Sequence, residues 1–385
     1  MLRRAVISLI IVCWNIPWLL HISGTVGPGE PLKGYLPATE LPVVSWRAFA
    51  EGSLQQRTEK YLTTQFPYRS KLIRLHHQLD WELFRHANVK STVVGLEDYL
   101  FERSYVAAAR GIDALDPEEI RSRARALRSL SDSAGVPVIV VLAPGKGHFY
   151  REFLPPCSGW KCGHEPSRGH RLWKEALQAE GVAILDLHGA FDVLRQDAEY
   201  PLFPKTGIHW SKYSMVHVMP ALMGAVDNAI PPTKRCGSWS LTSVDTTQVP
   251  RGTDDDIEQA MNLLLDIPDL TMGYPKGQWK ESSNPPSVLI MGDSFAWTPV
   301  NMSILRHGWQ GEFWYYNQKA FGPLISPPGS PVSSRHDGEL LSFLRSKDAI
   351  VLLSTDANLT KFPFGFAGIG SNEPMEGDRA PYTGW

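Results

Sequence analysis

Ser287-Val288-Leu289-Ile290-Met291 runs without a break into Gly292-Asp293-Ser294-Phe295. After Ser287 the run is wholly apolar, and Val288 and Ile290 are β-branched, which is the make-up of a strand buried on both faces. Such strands belong to parallel sheets, and open parallel sheets bind ligands at the carboxyl ends of their strands. The Gly-Asp-Ser turn stands at such an end. A serine on a strand-to-helix turn exposes its hydroxyl and has backbone N–H groups nearby that can hold an oxyanion. Gly-Asp-Ser alone also occurs in ordinary turns. Its placement after a buried strand is what makes Ser294 a candidate nucleophile.

Other segments repeat the pattern. Val136–Pro144 is a continuous apolar run rich in β-branched residues, Val182–Leu187 is another, and Ala349–Ser354 a third. Phe313–Tyr316 reads as a further strand, and Val93-Val94 with Tyr99-Leu100-Phe101 as two short strands about a turn. Helical segments lie between them. Asp116-Pro117-Glu118-Glu119 is a helix start, with an N-cap acid and Pro at the first helical position. That helix is expected to run to about Ser133 with Ile120, Ala124, Leu127 and Leu130 inward. Arg171–Glu180 and Tyr213–Ile230 also read as helices. From Ser45 to about Phe84 the pattern is helical, with Leu72, Ile73, Leu75, Leu79, Leu83 and Phe84 as one apolar stripe. Thr253-Asp254-Asp255-Asp256 opens a helix continuing through Leu265, where three acids favour the helix dipole; a cation site lacks later acids to complete its shell. Strands alternating with helices predict an α/β layered fold with a mostly parallel sheet.

The chain has 385 residues and a formal net charge of -2, with no electrostatic footprint for a polyphosphate backbone, which excludes nucleic acid as a partner. Arg3 and Arg4 precede an apolar run from Ala5 to Ile22, marginally long enough to span a bilayer. The arginines favour the cytoplasmic side, which places the remainder outside. Residues 1–22 therefore read as an uncleaved transmembrane signal anchor, 23–44 as a Gly- and Pro-rich linker, and 45–385 as the extracytoplasmic domain. The expected location is the inner membrane, single-pass, with the domain in the periplasm. Thiols tend to oxidise there, and Cys157 and Cys162 lie five positions apart in a Pro- and Gly-rich loop that a disulfide can close. The competing readings are free thiols and a metal site including His164 and His170, although the spacing fits no standard zinc pattern.

A serine nucleophile needs a base. His209 lies in Tyr200-Pro201-Leu202-Phe203-Pro204-Lys205-Thr206-Gly207-Ile208-His209-Trp210-Ser211, a loop just before a helix, from which a side chain can project over a strand end. With these motifs in hand, the chain resembles the alginate O-acetyltransferase-related family of SGNH-hydrolase relatives. Members pair a Gly-Asp-Ser turn late in the chain with an Asp-x-His-Trp motif some eighty residues earlier. The matching stretches are Val94 to Phe101, Val140 to Tyr150, Thr206 to Tyr213, Gly292 to Phe295 and Asp348 to Asn358. One departure is plain: the family's acid, two positions before the histidine, is Gly207 here. A backbone carbonyl, Asp293 or Asp356 could orient the imidazole in its place, the site could work as a Ser–His dyad, or activity could have been lost.

The resemblance implies an SGNH-hydrolase-like, flavodoxin-like three-layer sandwich. It implies a serine O-acetyltransferase acting on a cell-envelope or exported polysaccharide, with Ser294 as nucleophile and His209 as base. The acetyl group would arrive through a membrane-bound O-acyltransferase partner, and the chemistry needs no metal or soluble cofactor. An esterase using the same residues is the first rival, and a non-catalytic glycan-binding or assembly subunit the second. Lys146, Tyr150 and Asn317 fall near strand ends and are candidates for oxyanion donors or sugar contacts.

Overall fold

The computed structural model describes residues 40–366 apart from 66–67, 158–164 and 336–338, together with scattered positions before 40. The expected anchor lies largely outside the described residues, and among these no helix is long and apolar enough to cross a membrane. Two compact units divide the chain. One comprises Met1–Lys90, Glu258–Asp266 and Tyr382–Trp385, the other Ser91–Ile257 and Ile267–Pro381.

In the first unit, helices span Trp46–Ala50, Ser53–Gln65 and Arg69–Phe84. The last buries His77, Gln78 and Trp81, whereas Leu72, Leu75, Leu79, Leu83 and Phe84 of the expected apolar stripe stand exposed. Polar contacts override the stripe: His77 Nδ1 lies 2.7 Å from the Met261 carbonyl, and Gln78 Oε1 accepts from the Leu264 and Leu265 N–H groups.

The second unit holds the sheet. In chain order its strands are β1 (Thr92–Val94), β2 (Leu100–Glu102), β3 (Val138–Ala143), β4 (Ala183–Asp186), β5 (Ser238–Thr247), β6 (Met272–Lys280), β7 (Ser287–Gly292), β8 (Gln310–Tyr315), β9 (Lys319–Phe321), β10 (Ser330–Pro331) and β11 (Ala349–Thr355). Seven form a mixed sheet in the order β10-β9-β8-β7-β11-β3-β4. From β8 to β4 every pairing is parallel, and β9 and β10 close one edge antiparallel. β1 and β2 form a hairpin, and β5 and β6 a second two-stranded ribbon that the sequence reading had not separated.

The period of two along the central strands makes the core. Ile139, Val141, Val288, Ile290, Val351 and Leu353 enter one apolar cluster, while Val138, Val140, Leu142, Leu289, Met291, Ile350 and Leu352 enter the cluster on the other face. Each such burial stabilises by roughly 1.5–3 kcal/mol. The second cluster is covered by helix Pro117–Ala134, which buries Ile120, Ala124, Leu127 and Leu130. Its start is capped by Asp116, whose carboxylate accepts from Glu118 N at 2.8 Å, and it ends at Gly135 with φ 66°. Helix Met215–Ala229 contributes Met215, Val218, Leu222 and Val226 to the first cluster. This sandwich leaves the carboxyl ends of β3, β4, β7 and β11 along one edge, and the polar side chains gather there.

Candidate active site

Ser294 follows β7 immediately and opens a 3-10 turn, Ser294–Ala296, leading into helix Trp297–Asn301. Two features fix this turn. A Cβ at Gly292 would stand 2.7 Å from the Leu353 carbonyl oxygen, so only glycine lets β7 and β11 approach here. Asp293 is fully buried, and its Oδ1 accepts from Phe295 N at 3.1 Å. Its Oδ2 accepts from Thr355 N at 2.8 Å, Thr355 Oγ1 at 2.7 Å and Asn358 Nδ2 at 2.9 Å. Burial pushes this carboxyl up, and the donors oppose the rise. Asp293 thus anchors the Ser294 turn to the end of β11 and is not the carboxylate that meets the histidine.

His209 Nε2 lies 2.9 Å from Ser294 Oγ. Its side chain is 13% exposed. The loop that carries it is held on both sides. Trp210 Nε1 donates to the Phe295 carbonyl and to Thr298 Oγ1, and Ser211 Oγ and Ser214 Oγ donate to the carbonyls of Pro201 and Leu202. Thr206 Oγ1 donates to Asp269 at 2.7 Å. Lys146, 1% exposed, donates from Nζ to the carbonyls of Lys205 at 2.6 Å and Gly207 at 2.8 Å. Burial lowers the pKa of this ammonium to about 7.

The acid missing at position 207 is supplied from elsewhere. Asp256 Oδ2 stands 3.0 Å from His209 Nδ1, and its Oδ1 accepts from Ile208 N at 2.8 Å. Neither Asp293 nor Asp356, the two carboxylates considered from sequence, plays this part. Asp356 lies at the end of β11, where it meets His188 Nε2 at 2.7 Å and Gly145 N at 2.8 Å. Asp256 belongs to the run of three acids, and the run has divided labour. The helix begins only at Asp256 and ends at Met261, not at Leu265, because Asn262 takes φ 52°. Asp254 is buried and accepts from Tyr274 Oη at 2.7 Å; burial first, then neighbouring acids, push it up to about 7. Sequence reading assigned the three acids together to a helix dipole, whereas one of them faces the imidazole.

Gly207 explains the exchange. A Cβ there would stand 2.5 Å from the Asp254 carbonyl oxygen and 2.6 Å from that of Thr253. The backbone leading to Asp256 is packed on the glycine, so the acid approaches where a side chain at 207 would have been. Gly207 is not in the left-handed region; close approach, not positive φ, requires it.

Burial disfavours a charged His209, but the hydrogen bond and charge of Asp256, with Asp293 and Glu102, outweigh it and raise its pKa above the ordinary value. Glu102, at the end of β2, was not singled out in the sequence; burial raises its own pKa. The three candidates for oxyanion or sugar contacts are all engaged with backbone. Lys146 holds the histidine loop, Tyr150 Oη donates to the Phe203 carbonyl at 3.0 Å, and Asn317 Nδ2 donates to the Phe364 carbonyl at 3.3 Å. Cys157 is disulfide-bonded, while its expected partner Cys162 lies outside the described residues. Serine, imidazole and carboxylate are linked in the order that lets a hydroxyl lose its proton to a ring held in one tautomer.

Residues 92–262 match the model of a family described as an SGNH hydrolase-like domain, acetyltransferase AlgX. That stretch is a little under half of the chain; it includes His209 and Asp256 and ends before Ser294. Three of the stretches that carry the resemblance, Val94 to Phe101, Val140 to Tyr150 and Thr206 to Tyr213, lie within it. Among solved structures the chain is similar to the O-acetyltransferase domain of Pseudomonas putida AlgJ, at 14% identity over 70% of this chain and 92% of that one, with a TM-score of 0.48. It is similar to Pseudomonas aeruginosa AlgX at 16% identity, 72% and 68% coverage and a TM-score of 0.47. Bacillus cereus PatB1 aligns at 12% identity, 70% and 96% coverage and a TM-score of 0.42. No curated protein matches the chain.

Proposed function

We propose, from the resemblance of residues 92–262 to the acetyltransferase AlgX family, that this protein is a serine O-acetyltransferase acting on a cell-envelope or exported polysaccharide. The observation that carries the reading is the relay Ser294 Oγ, His209, Asp256, with contacts of 2.9 and 3.0 Å. Ser294 attacks the acetyl carbonyl while its proton passes to His209 Nε2, forming a C–O bond to the serine. The tetrahedral intermediate expels the donor's leaving group, which takes the proton from the imidazolium. Asp256 keeps the Nδ1 proton in place and stabilises the ring while it is charged. A sugar hydroxyl then gives its proton to His209 and attacks the acetyl-serine carbonyl; the bond to Ser294 Oγ breaks, Oγ takes the proton back from His209, and the acetylated glycan leaves.

A multispanning O-acyltransferase that carries acetyl groups across the bilayer is the proposed donor, and the proposed location is the periplasmic face of the inner membrane. The apolar run Ala5–Ile22 behind Arg3 and Arg4 supports that location.

The test is intact-mass and peptide mapping after brief exposure to an activated acetyl ester, followed by addition of oligosaccharide. Acetylation at Ser294, absent in Ser294→Ala and discharged onto sugar, is the expected result. Discharge onto water alone would make the protein an esterase. Absence of any serine adduct, with glycan still bound, would make it a binding subunit.

A further inference from the structure

On the far side of β11 from Ser294, the same sheet edge holds a second group of side chains that the relay does not use. His148 follows β3 in the short helix Lys146–Phe149, His188 opens helix His188–Asp197 after β4, and Asp356 follows β11. One donor atom from each lies within 4.8 Å of those of the other two. We propose that His148, His188 and Asp356 bind a divalent transition metal ion of the zinc type.

Three observations bear on this. The first is an orphan: His148, with a side chain 10% exposed, has Nδ1 3.0 Å from Ser167 Oγ while its buried Nε2 has no hydrogen-bond partner among the described residues. Asp192 Oδ2 stands 3.7 Å from that nitrogen, beyond hydrogen-bond reach. A buried ring nitrogen without a partner is costly, and a metal ion satisfies it.

The second is the outer shell. Metal-bound imidazoles have their other nitrogen fixed by an oxygen, and metal-bound carboxylates are themselves hydrogen-bonded. Here Ser167 holds His148 Nδ1, Asp186 Oδ1 lies 3.1 Å from His188 Nδ1, and Gly145 N donates to Asp356 Oδ2 at 2.8 Å. Each group keeps one atom for the support, and with their other atoms His188 Nε2 and Asp356 Oδ1 face each other.

The third is spacing. Ligand atoms about 2.1 Å from a tetrahedral ion stand about 3.4 Å apart. His188 Nε2 and Asp356 Oδ1 are 2.7 Å apart, a distance set by a shared proton. Metal entry displaces that proton from His188 to solvent, and the contact opens by about 0.7 Å, within the reach of a side-chain rotation. Two imidazoles and one carboxylate select zinc and its neighbours over magnesium or calcium. A small cavity lined by Asp113, Ser167, His170 and Asp356 borders the group at Asp356. The three ligands come from the ends of three adjacent strands, so the ion would be a clasp on the sheet edge whose β3 loop carries Lys146.

The test uses purified full-length chain without an affinity tag, titrated with Zn2+ and with Co2+. One equivalent is expected to bind, with Co2+ giving visible d–d bands, and Zn2+ should raise the melting temperature saturably. His148→Ala leaves the His188–Asp356 pair in place, so it should fold with an unchanged circular dichroism spectrum while weakening Zn2+ binding about 100-fold or more. A neighbouring set, His170, Asp186 and His188, is the built-in alternative. Binding that is lost in His170→Ala but kept in His148→Ala would overturn the assignment in favour of that set. No saturable binding, or binding unchanged in both variants, would overturn it altogether.

Discussion

Asp256→Asn tests the relay through hydrogen-bond capacity alone. The Asp256 carboxylate serves two groups, Ile208 N on Oδ1 at 2.8 Å and His209 Nδ1 on Oδ2 at 3.0 Å. Asparagine of nearly the same size has one carbonyl oxygen and one amide nitrogen, so it can accept from only one of the two. With its oxygen kept on Ile208, its amide donates to His209 Nδ1 and drives the ring proton to Nε2. Nε2 then donates to Ser294 Oγ and can no longer accept the serine proton. The equivalent exchange in a full triad lowers kcat by about four orders of magnitude, or about 5.4 kcal/mol in the barrier. A second effect is read on the pH axis. Activity needs neutral His209, and Asp256 raises its pKa, so the acid limb of the wild-type profile should lie above that of a free histidine. Removing the carboxylate charge should move the residual limb to lower pH. The assay is turnover of 4-nitrophenyl acetate from about pH 5 to pH 9, with thermal melts as the control for folding. A rate within tenfold of wild type, or an unmoved limb, would refute Asp256 as the orienting acid.

Gly207→Ala should reduce turnover severely and lower the melting temperature, because its Cβ would meet two backbone oxygens at 2.5 and 2.6 Å and no flexible side chain can yield. Gly207→Asp should do the same and not restore a faster enzyme; wild-type kinetics in either variant would show that the close approach is unimportant. Lys146→Met should cost roughly 1–3 kcal/mol by taking the ammonium donor from the Gly207 carbonyl and leaving that of Lys205 with Leu100 N, and should lower kcat more than it raises KM. A melt and kcat both equal to wild type would contradict its role as a tether for the histidine loop. Cys157 and Cys162 should be linked, so peptide mapping without reduction should find them in one disulfide-joined fragment; two alkylatable thiols would count against it.

The strands were legible because burial on both faces leaves a mark in single residues. Val138–Ala143, Val288–Met291 and Ala349–Leu353 are apolar at every position because successive residues enter the two core clusters in turn. The capped helix after Asp116 was equally plain, since its cap, its proline and its inward stripe all agree. Where a local pattern is contradicted by distant polar contacts, reading fails. The leucines of Arg69–Phe84 look like a core face, yet Gln78 and His77 turn inward to satisfy backbone groups of residues 261–265. The ribbon of β5 and β6 was missed for a related reason. Most of β5 is exposed, and its residues carry no regular alternation.

At the site, Ser294 and His209 could be paired as candidates from the sequence because each sits in a motif, while Asp256 could not because its position is set by another segment's backbone. Nothing in Thr253-Asp254-Asp255-Asp256 tells which carboxylate turns inward: Asp254 meets Tyr274, Asp256 meets His209, and both assignments need β6 and the histidine loop in place. The usable signal was Gly207. A residue type that removes an acid from an otherwise recognisable motif also removes a side chain, and the space vacated is filled by the Thr253 and Asp254 carbonyls. The bare position at Gly207 and the approach of Asp256 to His209 are therefore linked through one backbone contact. An isolated Gly207→Asp reversion meets the backbone that made it unnecessary, and deleting Asp256 leaves Gly207 unable to compensate. A motif departure paired with a nearby acidic run thus argues for relocation of the carboxylate ahead of loss of the relay, and the 3.0 Å contact from Asp256 to His209 Nδ1 is the form relocation takes here.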